Sequence, residues 1–177
     1  MKTKLILASL LLIFSGIFFL GCFGVDSNFS KIKNEVFSTV GVQFNKDIEF
    51  GIGPAGLSFV SVVVNISDAD VETCEIIRHL SKVQIGVYKK YQPVSRLAAI
   101  QILRNIDDRM LSGGWSCIVK DYDKSDVSTI YVKHTEDSKL RELFIVNLSK
   151  DELTIVNLKG RLDEVIPFII KDKNMSF

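Results

Sequence analysis

Histidine is scarce in this chain: 177 residues hold only two, His79 and His134. Neither has a cysteine or carboxylate at metal-ligand spacing, and no C-x-x-C or H-E-x-x-H motif occurs. Serine, histidine and aspartate are all present, but nothing local gathers them into a nucleophilic triad. The sequence therefore predicts no metal and no cofactor and names no catalytic residue. Both histidines read as surface groups, with His79 well placed for a cation late in a helix. A dominant charge is missing too. Lys and Arg number 22 against 21 Asp and Glu, a formal net charge of +1. A chain so balanced gives no reason to expect a polyanion, and no nucleic acid is predicted as partner.

Cysteine is nearly as rare, limited to Cys22, Cys74 and Cys117. The first lies in the one long apolar run, LILASLLLIFSGIFFLGCFGV, which follows a basic start and ends before Asp26. That pattern is an export signal, and three fates compete for it. A soluble secretory signal wants small residues at −1 and −3, where Gly21 and Phe19 stand. A bacterial lipoprotein signal wants an aliphatic residue, two small ones and then cysteine. Phe19-Leu20-Gly21-Cys22 keeps the small residue at −1 and the cysteine, and departs at −3 and −2. An uncleaved anchor is the third fate, since about 20 apolar residues span a bilayer.

The lipoprotein is the leading expectation. It divides the chain into a signal peptide (1–21), a tether headed by a lipidated Cys22 (22–30), one domain (31–171) and a tail (172–177). Its partner is the membrane, through acyl chains of the palmitate kind, and stable attachment takes at least two such chains. Lysines at the extreme N-terminus stay cytoplasmic. The domain is thus expected in the cell envelope, outside the cytoplasm, for lipoprotein and uncleaved anchor alike. Phe23 follows the cysteine, so the acidic residue that retains some lipoproteins at the inner membrane is absent; this favours the outer membrane where one exists. Cleavage removes two lysines and no acid, taking the formal charge from +1 to −1. It also leaves Cys74 and Cys117 as an even pair in an oxidising compartment. A bridge between them would stabilise the fold by about 4 kcal/mol; two buried thiols are the alternative.

Beyond the tether, KIKNEVFSTV (31–40) reads as a marginal helix or loop, and LSFVSVVVN (57–65), rich in β-branched residues, as a strand. Ser67-Asp68-Ala69-Asp70 has the form of a capping box and opens a helix through about Lys82. VQIGVYKKY (83–91) reads as a strand. From Ser95 to Leu111 the apolar positions Leu97, Ile100, Leu103, Ile106 and Met110 have helical spacing, and Gly113-Gly114 ends the run. A meander follows: 115–122, 128–135, 140–148 and 152–160. A final helix is expected over 161–171, with Asp163 as N-cap and Pro167 near its first turn. The pattern predicts a single α+β domain: a mainly antiparallel sheet with a C-terminal β-meander and two to three helices packed on one face.

Residues 113–166 resemble a family of small exported bacterial proteins catalogued as domain of unknown function 4252. The likeness rests on the "YVK" strand (131–133), the polar turn after it, "LRELFIV" (140–146), and a last strand ending in "LKGRLDEV" (158–165). It holds well over about a third of the chain and in outline over 31–112. What it implies is a fold, and an N-terminal secretion or lipoprotein signal; it lends no activity.

The remaining motifs favour bland readings. GIGPAG (51–56) matches G-x-G-x-x-G, but a dinucleotide site needs a strand before and a helix after, and a strand is expected after it. Asp121, Asp123 and Asp126 lack the glycine and closing glutamate of a calcium loop and suit a hairpin turn. IVNL occurs at 145–148 and 155–158. A hairpin turn at Ser149-Lys150-Asp151 sets Asn147 opposite Leu153 and Asn157 opposite Leu143, so the two asparagines cannot share a ligand. The lysines of YKKYQP (88–93) read as charges guarding an edge strand.

The function predicted is an envelope lipoprotein acting as a non-catalytic binding or assembly module, with an envelope protein as one candidate partner. The alternatives are an enzyme whose site assembles from distant residues, Asp121, Asp123 and His134 among them, and an accessory or sensor part of a membrane signalling system.

Overall fold

Why four consecutive late strands pair so regularly follows from their connections. Each is eight or nine residues long, and tight turns leave no room for a crossover. The computed structural model describes residues 24–40, 43–66, 71–90, 96–123, 126–149 and 151–166. Within these the order is α1 (Ser27–Val40), β1 (Phe44–Ile52), α2 (Pro54–Ile66), α3 (Val71–His79), β2 (Leu80–Lys90), α4 (Arg96–Ser112), β3 (Ser116–Asp123), β4 (Asp126–His134), β5 (Leu140–Leu148), β6 (Glu152–Gly160) and a short α5 (162–166). One six-stranded antiparallel sheet runs β1-β2-β6-β5-β4-β3. The α+β class, the single antiparallel sheet and the C-terminal meander are as the sequence predicts.

Helices α1 and α4 pack on each other and on one face of the sheet. Phe29, Ile32 and Val36 of α1 join Ala99, Ile102, Leu103, Ile106 and Met110 of α4 over Tyr88, Tyr131, Phe144, Val146, Leu153 and Ile155. The stripe on α4 buries Leu103, Ile106 and Met110 as expected but adds Ala99 and Ile102, while Leu97 at its start is 81% exposed. Gly113-Gly114 does stop this helix. Trp115 N donates to Met110 O and Gly114 N to Leu111 O, with Gly114 at φ 77°, a Schellman motif that only a glycine fits without strain. On the opposite face α5 seals one end, with Leu162 against Val132, Leu140, Leu143 and Leu158.

Several expectations are overturned. Residues 27–30 are not tether but the first turn of α1, and Phe29 is fully buried. Residues 57–65 lie in helix α2 rather than a strand. Pro54 supplies a preset φ at the first helical position, Leu57 N closes the first turn onto Gly53 O, and the helix then carries its β-branched residues. The strand before it, β1, is hidden by its charges: Lys46, Asp47 and Glu49 suit an exposed edge, and a bulge at Lys46/Ile48 interrupts its pairing. β2 in turn lies between β1 and β6, so its lysines do not guard an edge. Helix α3 ends at His79, short of Lys82.

Asp163 is no N-cap. It sits inside α5 and accepts from Leu140 N at 2.9 and 3.0 Å, pinning α5 to β5. The β5–β6 register is shifted by one from that expected, Leu148 facing Leu153 and Phe144 facing Asn157. Ser149 N donates to Glu152 O, so the turn takes four residues rather than three. The signal segment with Cys22, the Ser67–Asp70 box, Pro167 and the 172–177 tail lie outside the described residues. Among the described residues no helix is long and apolar enough to cross a membrane.

Candidate functional site

Asp26, which precedes α1, is the hub that holds this helix on the sheet. Its carboxylate caps the helix by accepting from Phe29 N at 2.9 Å, and Ser30 N closes the first turn on its carbonyl. Lys82 of β2 lies 3.1 Å from the same carboxylate and Lys159 of β6 lies 3.7 Å away. The buried Gln84 amide, oriented by its neighbours, donates to Asp26 and to Asn157 Oδ1. Asn157 donates to Leu143 O at 3.2 Å. Burial opposes the charge on Asp26, but the Phe29 amide, Lys82 and Lys159 outweigh it and hold the carboxyl below its ordinary range.

Two further polar clamps join helices to edge strands. Tyr88 of β2 donates at 2.5 Å to Glu49 of β1, which Lys33 of α1 meets at 2.8 Å. Tyr131 of β4 donates at 2.5 Å to Asp107 of α4, which also pairs with Lys120 of β3. Burial, reinforced by the neighbouring carboxylate, pushes both phenols well above the usual tyrosine range. Burial works against the Glu49 charge, yet Lys33 and Tyr88 hold that carboxyl below its ordinary value.

Beside the Asp26 hub a cleft of about 290 Å³ opens between α1, the C-terminal end of α4 and the sheet. Its apolar floor is Trp115 set edge-on to Phe144, ring centres 6.0 Å apart, with Met110 and Ile32 beside them. Four cations line it, Lys31, Arg109, Lys133 and Lys159, against one carboxylate, Glu142. Arg109 pairs with Glu35 and Lys159 with Glu142 at 3.1 Å. Lys133 is held differently: its ammonium donates to Gly113 O at 2.9 Å and lies 5.8 Å from the centre of the Trp115 ring.

The sites read from sequence lie elsewhere. Asp121 is exposed on β3 opposite Ser128, and Asp123 faces Asp126 at the hairpin end. His134 is exposed at the other end of β4, six residues from Ser128 and so about 20 Å along the strand. The structure does not bring the three together. Among the described residues no three His, Cys, Asp or Glu side chains gather as metal ligands. His79 is not a surface group; half-buried, it meets Glu164 of α5 at 2.9 Å and Glu75 at 3.8 Å.

Cys117 is a thiol packed beside the main core, its Sγ donating to Val119 O at 3.3 Å. Cys74 belongs to α3, which leads into β2, four strand positions from β3; its side chain lies outside the described ones.

GIGPAG does have a strand before it and a helix after it, contrary to expectation. The flanking strands are antiparallel, however, and Gly51 serves the chain itself. The Gly24 amide donates to Gly51 O, and a side chain at Gly51 would collide with the Gly24 carbonyl.

Of the cleft residues, the sequence raises only Asn157 as a ligand contact, through the IVNL repeat, and there it is set aside. The lining residues come from α1, the end of α4 and the connection after it, and three strands, and no local spacing in the sequence records such a convergence.

The model of one protein family, described as "Domain of unknown function (DUF4252)", matches residues 44–165. No curated protein and no solved structure matches the chain. The match extends the resemblance seen at 113–166 back to β1, and leaves out α1, which supplies one wall of the cleft. The chain belongs to the DUF4252 family.

Proposed function

We propose that this DUF4252 protein is an exported, lipid-anchored binding module that holds its ligand without transforming it. Support for anchoring comes from the apolar run ending in Gly21-Cys22. Support for binding without catalysis comes from one structural observation: the carboxylates in and around the cleft are already engaged. Asp26 caps α1, Glu142 pairs with Lys159, Glu35 with Arg109, and Asp107 with Lys120 and Tyr131. A general base needs a carboxylate or imidazole free to take a proton, and the cleft offers none among its described lining residues.

Docking to an envelope protein is the second reading. It is favoured by the apolar row Val119, Ile130, Ile145, Val156, Ile85 and Phe50, which crosses all six strands on the face away from α1 and α4.

Metabolic labelling with a radioactive fatty acid tests the anchor. Wild type should incorporate label and sediment with membranes, and Cys22→Ser should lose the label. Unchanged labelling in the variant would overturn the lipid anchor and leave the uncleaved helix.

A further inference from the structure

We infer that the cleft between α1 and the end of α4 is a site for a small organic anion: a carboxylate attached to a flat apolar body. The inference deepens the binding reading and rests on it.

Three features of the cleft specify that chemistry. The first is charge. Of the four cations, Arg109 and Lys159 are neutralised by Glu35 and Glu142. Lys31 lies exposed on α1, and Lys133 is bonded to a neutral carbonyl. Those two ammonium groups give the opening a surplus of positive charge, and an ammonium bonded to one carbonyl keeps two donors for an incoming anion.

The second feature is the floor. Trp115 and Phe144 present ring surface, with Met110 and Ile32 beside it. An inorganic anion would leave that surface wet, whereas an aromatic or alicyclic acid would cover it, and each buried Å² of apolar area is favourable by roughly 25 cal/mol. The third is size. A cleft of about 290 Å³ falls at the lower limit of ordinary ligand pockets and suits a molecule of one or two rings. Lys133 ties the first two features together, because its Nζ lies over Trp115 and fixes the anion at the margin of the apolar floor.

Trp115 is the only tryptophan of the chain, so its emission reports on this cleft alone. Purified full-length protein in neutral detergent is titrated with benzoate, with benzamide and with inorganic phosphate. The expected result is a saturable change with benzoate, and binding of benzamide and phosphate weaker by about tenfold, the equivalent of one charge-assisted hydrogen bond. Lys31→Gln and Lys133→Gln should each weaken benzoate by a similar factor, with the melting temperature of Lys31→Gln unchanged because that side chain is exposed.

Benzamide binding as tightly as benzoate would overturn the anion site, and phosphate binding as tightly would overturn the apolar floor. No saturable response, or an unaltered Lys31→Gln, would overturn the inference altogether. Its failure is separable from that of the anchored module, because labelling at Cys22 does not depend on what the cleft binds.

Discussion

The two faces of the sheet are built from the same strands and differ in what covers them. On β6, Leu153, Ile155 and Asn157 point toward α1 and α4 and are buried, while Thr154, Val156 and Leu158 point the other way and stay half-buried. The first face carries the polar apparatus as well: the Asp26 hub, both tyrosine clamps and the cleft. The second has aliphatic rows and, at its β1 edge, Ile48, which is 49% exposed. The larger core and the ligand chemistry therefore share one face, and the other, apart from the smaller cluster around Leu162, is more open to change.

Phe144→Ala should break that comparison most visibly. The ring is buried between Phe29 and Trp115 and forms part of the cleft floor, so its loss should cost about 3–5 kcal/mol in urea unfolding and abolish benzoate binding together.

Asp26→Ala comes next, at about 1–3 kcal/mol, since it removes a helix cap and strips Lys82 and Lys159 of a partner. The pH dependence has a definite sign. The folded pKa of Asp26 lies below its unfolded value of about 3.9, so the native state binds fewer protons than the unfolded chain. Its stabilisation is full above that value and is lost as pH falls through the lower folded one. Asp26→Asn should accordingly flatten the acid limb of the stability profile, leaving the similar contribution of Glu49.

Tyr88→Phe and Tyr131→Phe should each cost about 1 kcal/mol, the net worth of one hydrogen bond. Because both folded phenol pKa values are raised, the clamps are complete below about pH 10, and stability falls as pH rises above it. Absorbance at 295 nm should show two tyrosines that ionise only as the fold opens. Ile48→Lys on the second face should shift stability by less than about 0.5 kcal/mol.

The meander was legible because its strands are separated by polar turns and end where the turns begin; β5 and β6 match the expected 140–148 and 152–160. Helix α4 was legible from its length, its glycine stop and the C-terminal part of its buried stripe, though not from Leu97 at its start. Tertiary context decided the rest. A run of valines after Pro54 was free to become helix α2, and the charged FNKDIEFGI gains its strand identity only by pairing with β2.

Nor could alternation show which face is covered, because β6 is apolar on both. The cleft was illegible for a plainer reason. Lys31 and Lys133 are about a hundred residues apart and come to line one cleft only when Asp26 seats α1 on the sheet.

The contrast between faces can be measured with chemistry held constant. Val146 is 1% exposed beneath α1 and α4, and Val156 lies half-buried on the neighbouring strand facing the other way. Urea unfolding of Val146→Ala and Val156→Ala, side by side, should show the first more destabilised by about 1 kcal/mol or more. Equal losses, or a larger loss at Val156, would contradict the assignment of the fold's stability to the helix-covered face.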